Sequence, residues 1–358
     1  MSGASAKSGE KPRHFTFLLC PAFSMTAFSA AVEPLRIANR AARRTLYDWR
    51  FVSEDGRPVE ASNGLSVNPD GALPEIPRGG TIVICSGLKL EAAASRPVIT
   101  WLRREARRGA RLGAVCTGAY VLAKAGLLQG RRCTIHWENL AAFTEDFPEV
   151  RVENLLYVVD EGVFTCAGGA ASTDMMLQLI GAEHGPDLAS SVSDTMLHMP
   201  VRSESDEQRL SVPARIGVRH PKLIEIIQTM EKHLEEPISP VDLARDAGVS
   251  TRQLERLFRR YLNRSPKRYY MEMRLEKARG LLLQTDLSVI NVALACGFTS
   301  PSHFSKCYRA HFGRTPYRER GAPAGAARLG EGEARHDLDE DDLALTIEPE
   351  AGEGGALA

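Results

Sequence analysis

The stretch DLARDAGVSTRQLERLFRRYLNRSPKRY, residues 242–269, occurs a second time as NVALACGFTSPSHFSKCYRAHFGRTPYRE, residues 291–319. Gly248 aligns with Gly297 at a spacing of 49 residues, and after one insertion Pro266 aligns with Pro316 at a spacing of 50. A period shared by so many positions indicates an internal repeat. Each copy predicts a helix, a sharp turn at the glycine and a second helix, because glycine readily adopts the left-handed conformation of such turns.

The second helix of the first copy separates apolar from polar side chains. Leu254 and Phe258 belong to the apolar face, whereas the polar face carries Arg252, Gln253, Arg256, Arg259 and Arg260. Arginine and glutamine have the hydrogen-bond donors that read guanine and adenine in the major groove, and further arginines can hold phosphates. The alternative is a helical bundle with a solvated basic face, but two copies of the motif favour DNA binding.

The charge of the chain is strongly divided although its sum is zero. Residues 221–320 contain 18 Lys and Arg against 11 Asp and Glu, a net charge of +7. Residues 321–358 contain 2 basic and 10 acidic residues, a net charge of −8. A basic block suits a nucleic-acid partner. The acidic tail is expected to be disordered and solvated without a specific role, and the alternatives are that it screens the basic domain or contacts RNA polymerase.

The overall composition predicts a soluble chain of about two domains, with 358 residues, 43% of them hydrophobic. The sequence has neither an apolar stretch long enough to span a membrane nor the apolar core of a signal peptide. The seven cysteines are odd in number and form no CxxC pair, which favours reduced thiols in the cytoplasm over disulfides or structural zinc. We therefore expect a cytoplasmic protein without metal or cofactor.

The first two hundred residues alternate apolar, β-branched runs with helical patterns. This alternation predicts an α/β doubly wound, mostly parallel sheet, and the second half predicts an all-α domain with two helix-turn-helix units. The predicted strands are residues 15–19, 49–54, 81–87, 111–116 and a strand region within 155–169. Ligands of such sheets bind beyond the carboxyl ends of the strands.

Cys116 lies at such an end, in AVCTGAYVLAKAGLL, residues 114–128. The pattern predicts a strand-turn-helix elbow that places the thiol at a helix N-terminus, where free N–H groups and the helix dipole favour a thiolate. The question is whether this elbow performs chemistry or keeps only its shape.

The predicted boundaries follow from changes in composition. Residues 1–13 are expected to be disordered, 14–200 to form the sheet domain and 201–220 to be a linker, because the stretch 200–220 is polar, contains two prolines and lacks a clear period. Residues 221–320 are expected to form the helical domain, and 321–358 the disordered tail.

The helical domain resembles the AraC/XylS family of bacterial transcription regulators. The motifs AxxAGVSxRxLxRLF and ALACGFxSxSHFSKxYRxxFGxTPxxxR carry the resemblance, over about residues 221–320. It implies two helix-turn-helix units joined by a long helix, roughly 266–284, that read adjacent major grooves. Carried over by position, the DNA contacts are Arg252, Gln253, Arg256, Ser302, His303 and Lys306.

The first domain resembles the PfpI-like fold, a relative of class I glutamine amidotransferase domains, over about residues 14–200. CTGAYVLAKAGLL, RRCTIHWENLAAF and TCAGGAASTDMML carry this resemblance. The combination with an AraC-type domain is that of the GlxA subgroup. FSMTAFSAAVEPLRIANR and HPKLIEIIQTMEKHLEEPIS are most similar to regulators of arginine, glycine betaine and carnitine catabolism.

The PfpI resemblance raises an enzymatic alternative, an active cysteine hydrolase or amidase fused to a DNA-binding module. Cys116 occupies the nucleophile position and His136 matches a nearby histidine. Enzymes of this fold commonly add a carboxylate four residues before the proline of the first helix, where this chain has Ala30, and Glu33 is on another helical phase. We therefore predict no catalytic residues, and keep redox sensing at Cys116 as a third hypothesis.

A ligand pocket is predicted near the elbow. Phe23, Phe28, Tyr120 and Trp137 lie in segments expected to converge there, with Cys116 and His136 as further contacts. Aromatic faces stabilise quaternary ammonium groups and helix N–H groups bind carboxylates, so an amino acid or betaine-like effector would suit both. The alternative is that these aromatic residues are ordinary core.

The functional prediction is a sequence-specific regulator, an activator, that binds double-stranded promoter DNA and forms a homodimer. A small nitrogenous effector bound to a catalytically inactive PfpI-like domain would shift the DNA-binding domain through dimer contacts or the linker.

Overall fold

The computed structural model describes residues 11–204, 206, 208, 212–285 and 287–320. The chain divides into two compact units, Met1–Arg209 and Leu210–Ala358. The acidic tail 321–358 and most of the N-terminal segment lie outside the described residues, whereas Arg13, the last residue assigned to that segment, begins the first strand. Among the described residues, no helix is both long and apolar enough to cross a membrane.

The described residues of the first unit form ten strands. They are β1 Arg13–Leu19, β2 Tyr47–Val52, β3 Val59–Glu60, β4 Ser66–Val67, β5 Thr81–Cys85, β6 Arg111–Val115, β7 Arg132–Cys133, β8 Arg151–Val152, β9 Tyr157–Asp160 and β10 Val163–Cys166. Six of them form one sheet in the order β2-β1-β5-β6-β10-β9. All neighbours in this sheet are parallel except β10 and β9, which form an antiparallel hairpin at the edge.

Helices cover both faces of this sheet. They are α1 Met25–Ala42, α2 Leu90–Ala93, α3 Arg96–Arg107, α4 Gly118–Lys124, α5 Leu140–Asp146, α6 Ala171–His184 and α7 Pro186–Met196, with a 3-10 turn at Trp137–Asn139. Because side chains of a strand alternate between faces, Phe17 packs in the core under α1 and α6, whereas Leu18 packs in the core under α3 and α4. The mostly parallel, doubly wound α/β architecture is confirmed.

A buried carboxylate holds the chain that follows α7. Asp174 on α6 is fully buried and accepts hydrogen bonds from His198 Nε2 at 2.7 Å and from the backbone N–H of Arg202 at 2.9 Å. The Arg202 guanidinium adds two bonds to the same carboxylate, at 3.0 and 2.7 Å. Further along, Gln208 Nε2 donates to the carbonyl oxygen of Ile135 at 2.8 Å. The first part of the predicted linker is thus bound to the sheet domain.

The second unit consists of helices. They are α8 Val212–Ile216, α9 Pro221–Lys232, α10 Pro240–Asp246, α11 Thr251–Leu262, α12 Pro266–Gln284, α13 Val289–Ala295, α14 Pro301–Phe312 and α15 Pro316–Arg320. α8 lies inside the predicted linker, and its Val212 is buried in the same core as Leu243 and Phe258. The long helix α12 has the bounds that the resemblance implied, and contacts both repeats through α11, α13 and α14.

Candidate nucleic-acid interface and ligand site

Each repeat forms a helix-turn-helix unit, α10–α11 in the first copy and α13–α14 in the second. The turn glycines, Gly248 and Gly297, have φ angles of +68° and +72°, which only glycine adopts without strain. The second helices begin at serine caps: Ser250 accepts from the backbone N–H of Gln253 at 3.2 Å, and Ser300 from that of His303 at 3.3 Å. The turn and the cap together set the direction in which α11 and α14 leave each turn.

The first repeat exposes the side chains predicted to contact DNA. Arg252, Gln253 and Arg256 are all exposed on α11, whereas Leu254 and Phe258 on the opposite side are buried. An α-helix that buries one face and exposes guanidinium and amide groups on the other can enter a major groove.

Gln253 also has a structural role that the sequence analysis missed. Its Oε1 accepts from the backbone N–H of Ser250 at 2.8 Å, while the Ser250 hydroxyl caps the backbone N–H of Gln253. This reciprocal pair is a capping box, and the signal for it was present as Ser-Thr-Arg-Gln, a serine three residues before a glutamine. Bidentate recognition of adenine needs both Oε1 and Nε2, so base reading and capping compete for Oε1.

The second repeat presents its three predicted residues less uniformly. Ser302 and Lys306 are exposed on α14. His303 is partly buried, with its Nε2 3.3 Å from Cys307 Sγ and its ring centroid 6.1 Å from that of Phe298. Its imidazole therefore packs against the protein, and only part of the ring is exposed on the outer face of α14.

The elbow predicted at Cys116 is present between β6 and α4. Cys116 has a φ of +60°, a conformation that few residues other than glycine adopt, and Thr117 precedes the first residue of α4. Gly168 packs directly on the elbow, since a Cβ at this position would lie 2.7 Å from the Cys116 Cβ. The backbone N–H of His136 donates to the carbonyl oxygen of Cys116 at 3.3 Å, so the predicted pair does come together.

The surroundings of Cys116 disfavour a thiolate. The pKa of the Cys116 thiol is raised to about 12, chiefly by desolvation and secondarily by the Cys166 sulfur, and a backbone hydrogen bond at Thr117 only partly opposes this rise. Burial likewise lowers the pKa of His136, although the Glu138 carboxylate opposes this shift. Both groups are therefore neutral at neutral pH. Because His136 Nδ1 accepts from the backbone N–H of Glu138 at 3.4 Å, we assign the ring proton to Nε2.

No carboxylate takes the place that enzymes of this fold use. Ala30 stands there, and its carbonyl oxygen accepts from Thr173 Oγ1 at 3.2 Å. Glu33 binds Arg36 on the outer side of the same helix, at 2.6 Å. The Glu138 carboxylate does act on Cys116, but its negative charge raises the pKa of the thiol.

The four predicted aromatic residues do not form one cage. Phe23 and Phe28 are buried against each other in the core under α1, with ring centroids 5.5 Å apart. Tyr120 is buried on the other face of the sheet, where its hydroxyl bonds Glu91. Trp137 is 38% exposed and lies 5.7 Å, between ring centroids, from His136. Helices α1 and α4 cover opposite faces of the sheet, so Phe28 and Tyr120 lie in different cores and cannot line one pocket together.

The described residues contain no group of three or more His, Cys, Asp or Glu side chains arranged to hold a metal ion.

Comparisons with known proteins match both halves of the chain. A family model described as DJ-1/PfpI family matches residues 27–182, and one described as Helix-turn-helix domain matches residues 243–322. The HTH-type transcriptional regulator GbdR of Pseudomonas aeruginosa is 47% identical over 315 residues, which cover 88% of this chain and 86% of that protein.

Two further relatives align over similar lengths. The HTH-type transcriptional regulator CdhR of Pseudomonas aeruginosa is 47% identical over 324 residues, covering 87% of this chain and 96% of that protein. The HTH-type transcriptional regulator GlxA of Rhizobium meliloti is 39% identical over 314 residues, covering 87% of this chain and 97% of that protein.

Proposed function

We propose the following function on the basis of the family to which the chain belongs. It is one of the HTH-type transcriptional regulators that combine a DJ-1/PfpI domain with an AraC-type helix-turn-helix domain. It is a DNA-binding regulator of transcription. Within that function, α11 and α14 read two adjacent major grooves of a promoter, and a small nitrogenous effector at the Cys116 elbow controls their arrangement. The regulator acts as a homodimeric activator that makes contact with RNA polymerase.

The observation that carries the DNA-reading proposal is the pair of exposed helix faces on one scaffold. Arg252 and Arg256 on α11 and Lys306 on α14 are exposed, and both helices pack on α12. Because the single helix α12 joins the two helix-turn-helix units, it fixes their relative placement. Reading two successive major grooves requires such a fixed placement. Ser302, His303 and Gln253 complete the proposed contacts.

The effector proposal centres on His136 and Trp137. The half-exposed indole face can attract a quaternary ammonium or guanidinium group, and the His136 Nε2–H can donate to a carboxylate. The exposed Glu138 carboxylate, whose Oε2 is 3.8 Å from His136 Nδ1, adds a second attraction for the cation. An amino acid or betaine-like zwitterion matches this set. Phe23, Phe28 and Tyr120 pack in the cores of the sheet domain and do not contact the effector.

The enzyme alternative has less support. The relatives are named transcriptional regulators, although the DJ-1/PfpI family also includes enzymes. A protonated Cys116 thiol beside a neutral His136, with Ala30 in the carboxylate position, is not an activated nucleophile. We infer that the domain binds its ligand without turning it over.

The test of effector control measures ligand affinity on matched variants. Arginine, glycine betaine and carnitine are titrated into the intact protein by calorimetry, and the zwitterion that binds is carried to Trp137→Leu and Trp137→Phe. We expect the leucine variant to lose about 2- to 30-fold in affinity, the equivalent of about 0.5–2 kcal/mol of cation–π attraction. The phenylalanine variant keeps an aromatic face and should retain most of the affinity.

Equal affinity in all three proteins would contradict the role of Trp137. Substrate turnover that disappears in Cys116→Ala would favour the cysteine hydrolase instead. Promoter activation that survives Cys116→Ala would show that the thiol is not needed for regulation.

A further inference from the structure

A cavity of about 350 Å³ lies inside the helical domain, between the segment that joins α9 to α10, the long helix α12 and the turn before α14. Its apolar wall is formed by Met230, Ile238, Leu243, Met271, Leu294 and Phe298. We propose that this cavity is a second ligand site of the regulator, and that it takes a small apolar carboxylate. The site is separate from the elbow, and the proposal does not depend on effector binding there.

The charged group of the site is Arg274 on α12. This residue is only 4% exposed and lines the cavity. Its Nε donates to the carbonyl oxygen of Cys296 at 2.7 Å and its Nη2 to that of Gly297 at 2.6 Å, while the guanidinium lies 4.2 Å from the Phe298 ring centroid. Burial lowers the pKa of Arg274 to about 10, so the group is still cationic at neutral pH.

This buried charge has no acidic counterpart in the part of the chain that the structure describes. Its hydrogen bonds there go to two neutral carbonyl oxygens. Removing a cation from water is costly unless an anion compensates it. The bonds to Cys296 and Gly297 involve Nε and Nη2, so the two hydrogens of Nη1 remain for an anionic ligand.

The rest of the lining favours an anion with an apolar body. Lys267 adds a second cation, and among the described residues that line the cavity the one acidic residue is Glu235, which is exposed. The volume falls within the range of small-molecule sites, which combine mostly apolar walls with a few placed polar groups. A hydrophilic phosphate or sugar would leave the methionine and leucine side chains without a partner.

The position of the site also links it to DNA reading. Cys296 and Gly297 form the turn that precedes α14, and their carbonyl oxygens are held by the guanidinium that the ligand would neutralise. Lys277 Nζ donates to the neighbouring carbonyl of Ala295 at 2.8 Å. These cations satisfy carbonyl oxygens at the C-terminal end of α13, which its own backbone leaves free.

The experiment uses 4-phenylbutanoate as the anionic probe and 4-phenylbutanamide as its neutral analogue, titrated into the intact protein by calorimetry or ligand-observed NMR. Leu294→Trp places a large ring at the mouth of the cavity, where Leu294 is 54% exposed. Ile290→Trp is the matched control, because Ile290 is 56% exposed one turn earlier on the same helix and does not line the cavity.

We expect saturable binding of the carboxylate, about tenfold or more weaker binding of the amide, and loss of binding in Leu294→Trp but not in Ile290→Trp. Equal affinity for acid and amide would overturn the role of Arg274 as an anion receptor. Undiminished binding in Leu294→Trp would place the probe elsewhere. Absence of saturable binding would leave Arg274 as a purely structural clamp and overturn the proposal.

Discussion

Cys116 has the backbone conformation of a nucleophile elbow, but its thiol is not activated as a nucleophile. Its φ of +60° is the strained elbow conformation, yet its pKa is raised to about 12. The helix that follows is only seven residues long, and a backbone hydrogen bond at Thr117 lowers the pKa less than desolvation raises it. Sequence reasoning found the elbow because strand and helix patterns locate it. The helix N-terminus favoured a thiolate at this position, but the protonation state depends on desolvation, which follows from packing that one sequence does not display.

The raised pKa predicts slow alkylation of Cys116. At neutral pH nearly all of the thiol is protonated, so labelling by iodoacetamide should be slow and should rise with pH without a plateau until about pH 12. Peptide mass spectrometry separates Cys116 from the other six cysteines, and Cys116→Ser identifies its peptide. A plateau below the ordinary thiol pKa would instead support a redox-sensing or nucleophilic thiolate.

Gln253 should reveal its two roles through two different substitutions. Gln253→Ala removes the glutamine half of the capping box and leaves the Ser250 cap in place, so it is expected to lower the free energy of unfolding by about 0.5–1.5 kcal/mol, measured by urea denaturation. Gln253→Glu keeps a capping acceptor but replaces the amide donor, so stability should stay near that of the parent while operator affinity falls. If Gln253→Glu bound the operator like the parent, base reading by Gln253 would be excluded.

At the scale of elements, sequence patterns predicted more of the helical unit than of the ligand site. The internal repeat predicted the two helix-turn-helix units, and the resemblance to the AraC/XylS family implied the bounds of α12, where Ser265 caps the helix and Pro266 is its first residue. Helix α8 was missed because its five residues are too few to show a period. The prediction of one aromatic cage was wrong. Periodicity identifies buried side chains, but it does not show that Tyr120 and Phe28 lie on opposite faces of the sheet.

The two turn glycines should differ in their tolerance of alanine. Gly248 and Gly297 share a left-handed φ, so alanine at either position should cost about 1–2 kcal/mol of stability. A Cβ at Gly248 meets open space, whereas one at Gly297 would lie 2.7 Å from both the Glu235 carbonyl oxygen and a carbon of Pro237. Thermal or urea unfolding should therefore rank Gly297→Ala well below Gly248→Ala, and equal losses would contradict this packing.

On the scale of the whole molecule, the net positive charge is concentrated in the DNA-binding domain. Residues 221–320 carry 18 Lys and Arg against 11 Asp and Glu. Phosphate neutralisation releases counterions, so DNA affinity should fall steeply as salt increases. The effector adds a second influence, since a coupling of about 1–3 kcal/mol between sites would change DNA affinity about 5- to 150-fold.

Salt dependence should separate phosphate contacts from base contacts. Arg260 is exposed on α11 outside the predicted base-reading set, so Arg260→Ala should weaken binding to all sequences and reduce the slope of log K against log salt by about 1. Arg256→Ala should instead relax specificity at one operator position at a cost of about 1–3 kcal/mol. Fluorescence anisotropy at several salt concentrations distinguishes them, and an unchanged slope in Arg260→Ala would argue against its phosphate contact.

The most direct test of the account is a footprint of the intact protein on an operator selected from random DNA. Arg256→Ala and Lys306→Ala, one on each exposed helix face, are compared with Lys222→Ala, an exposed control on α9. We predict two protected segments about one helical turn apart, with each helix variant losing one segment and the control losing neither. A single protected segment, or loss of the same segment in both variants, would contradict reading by two tandem helices.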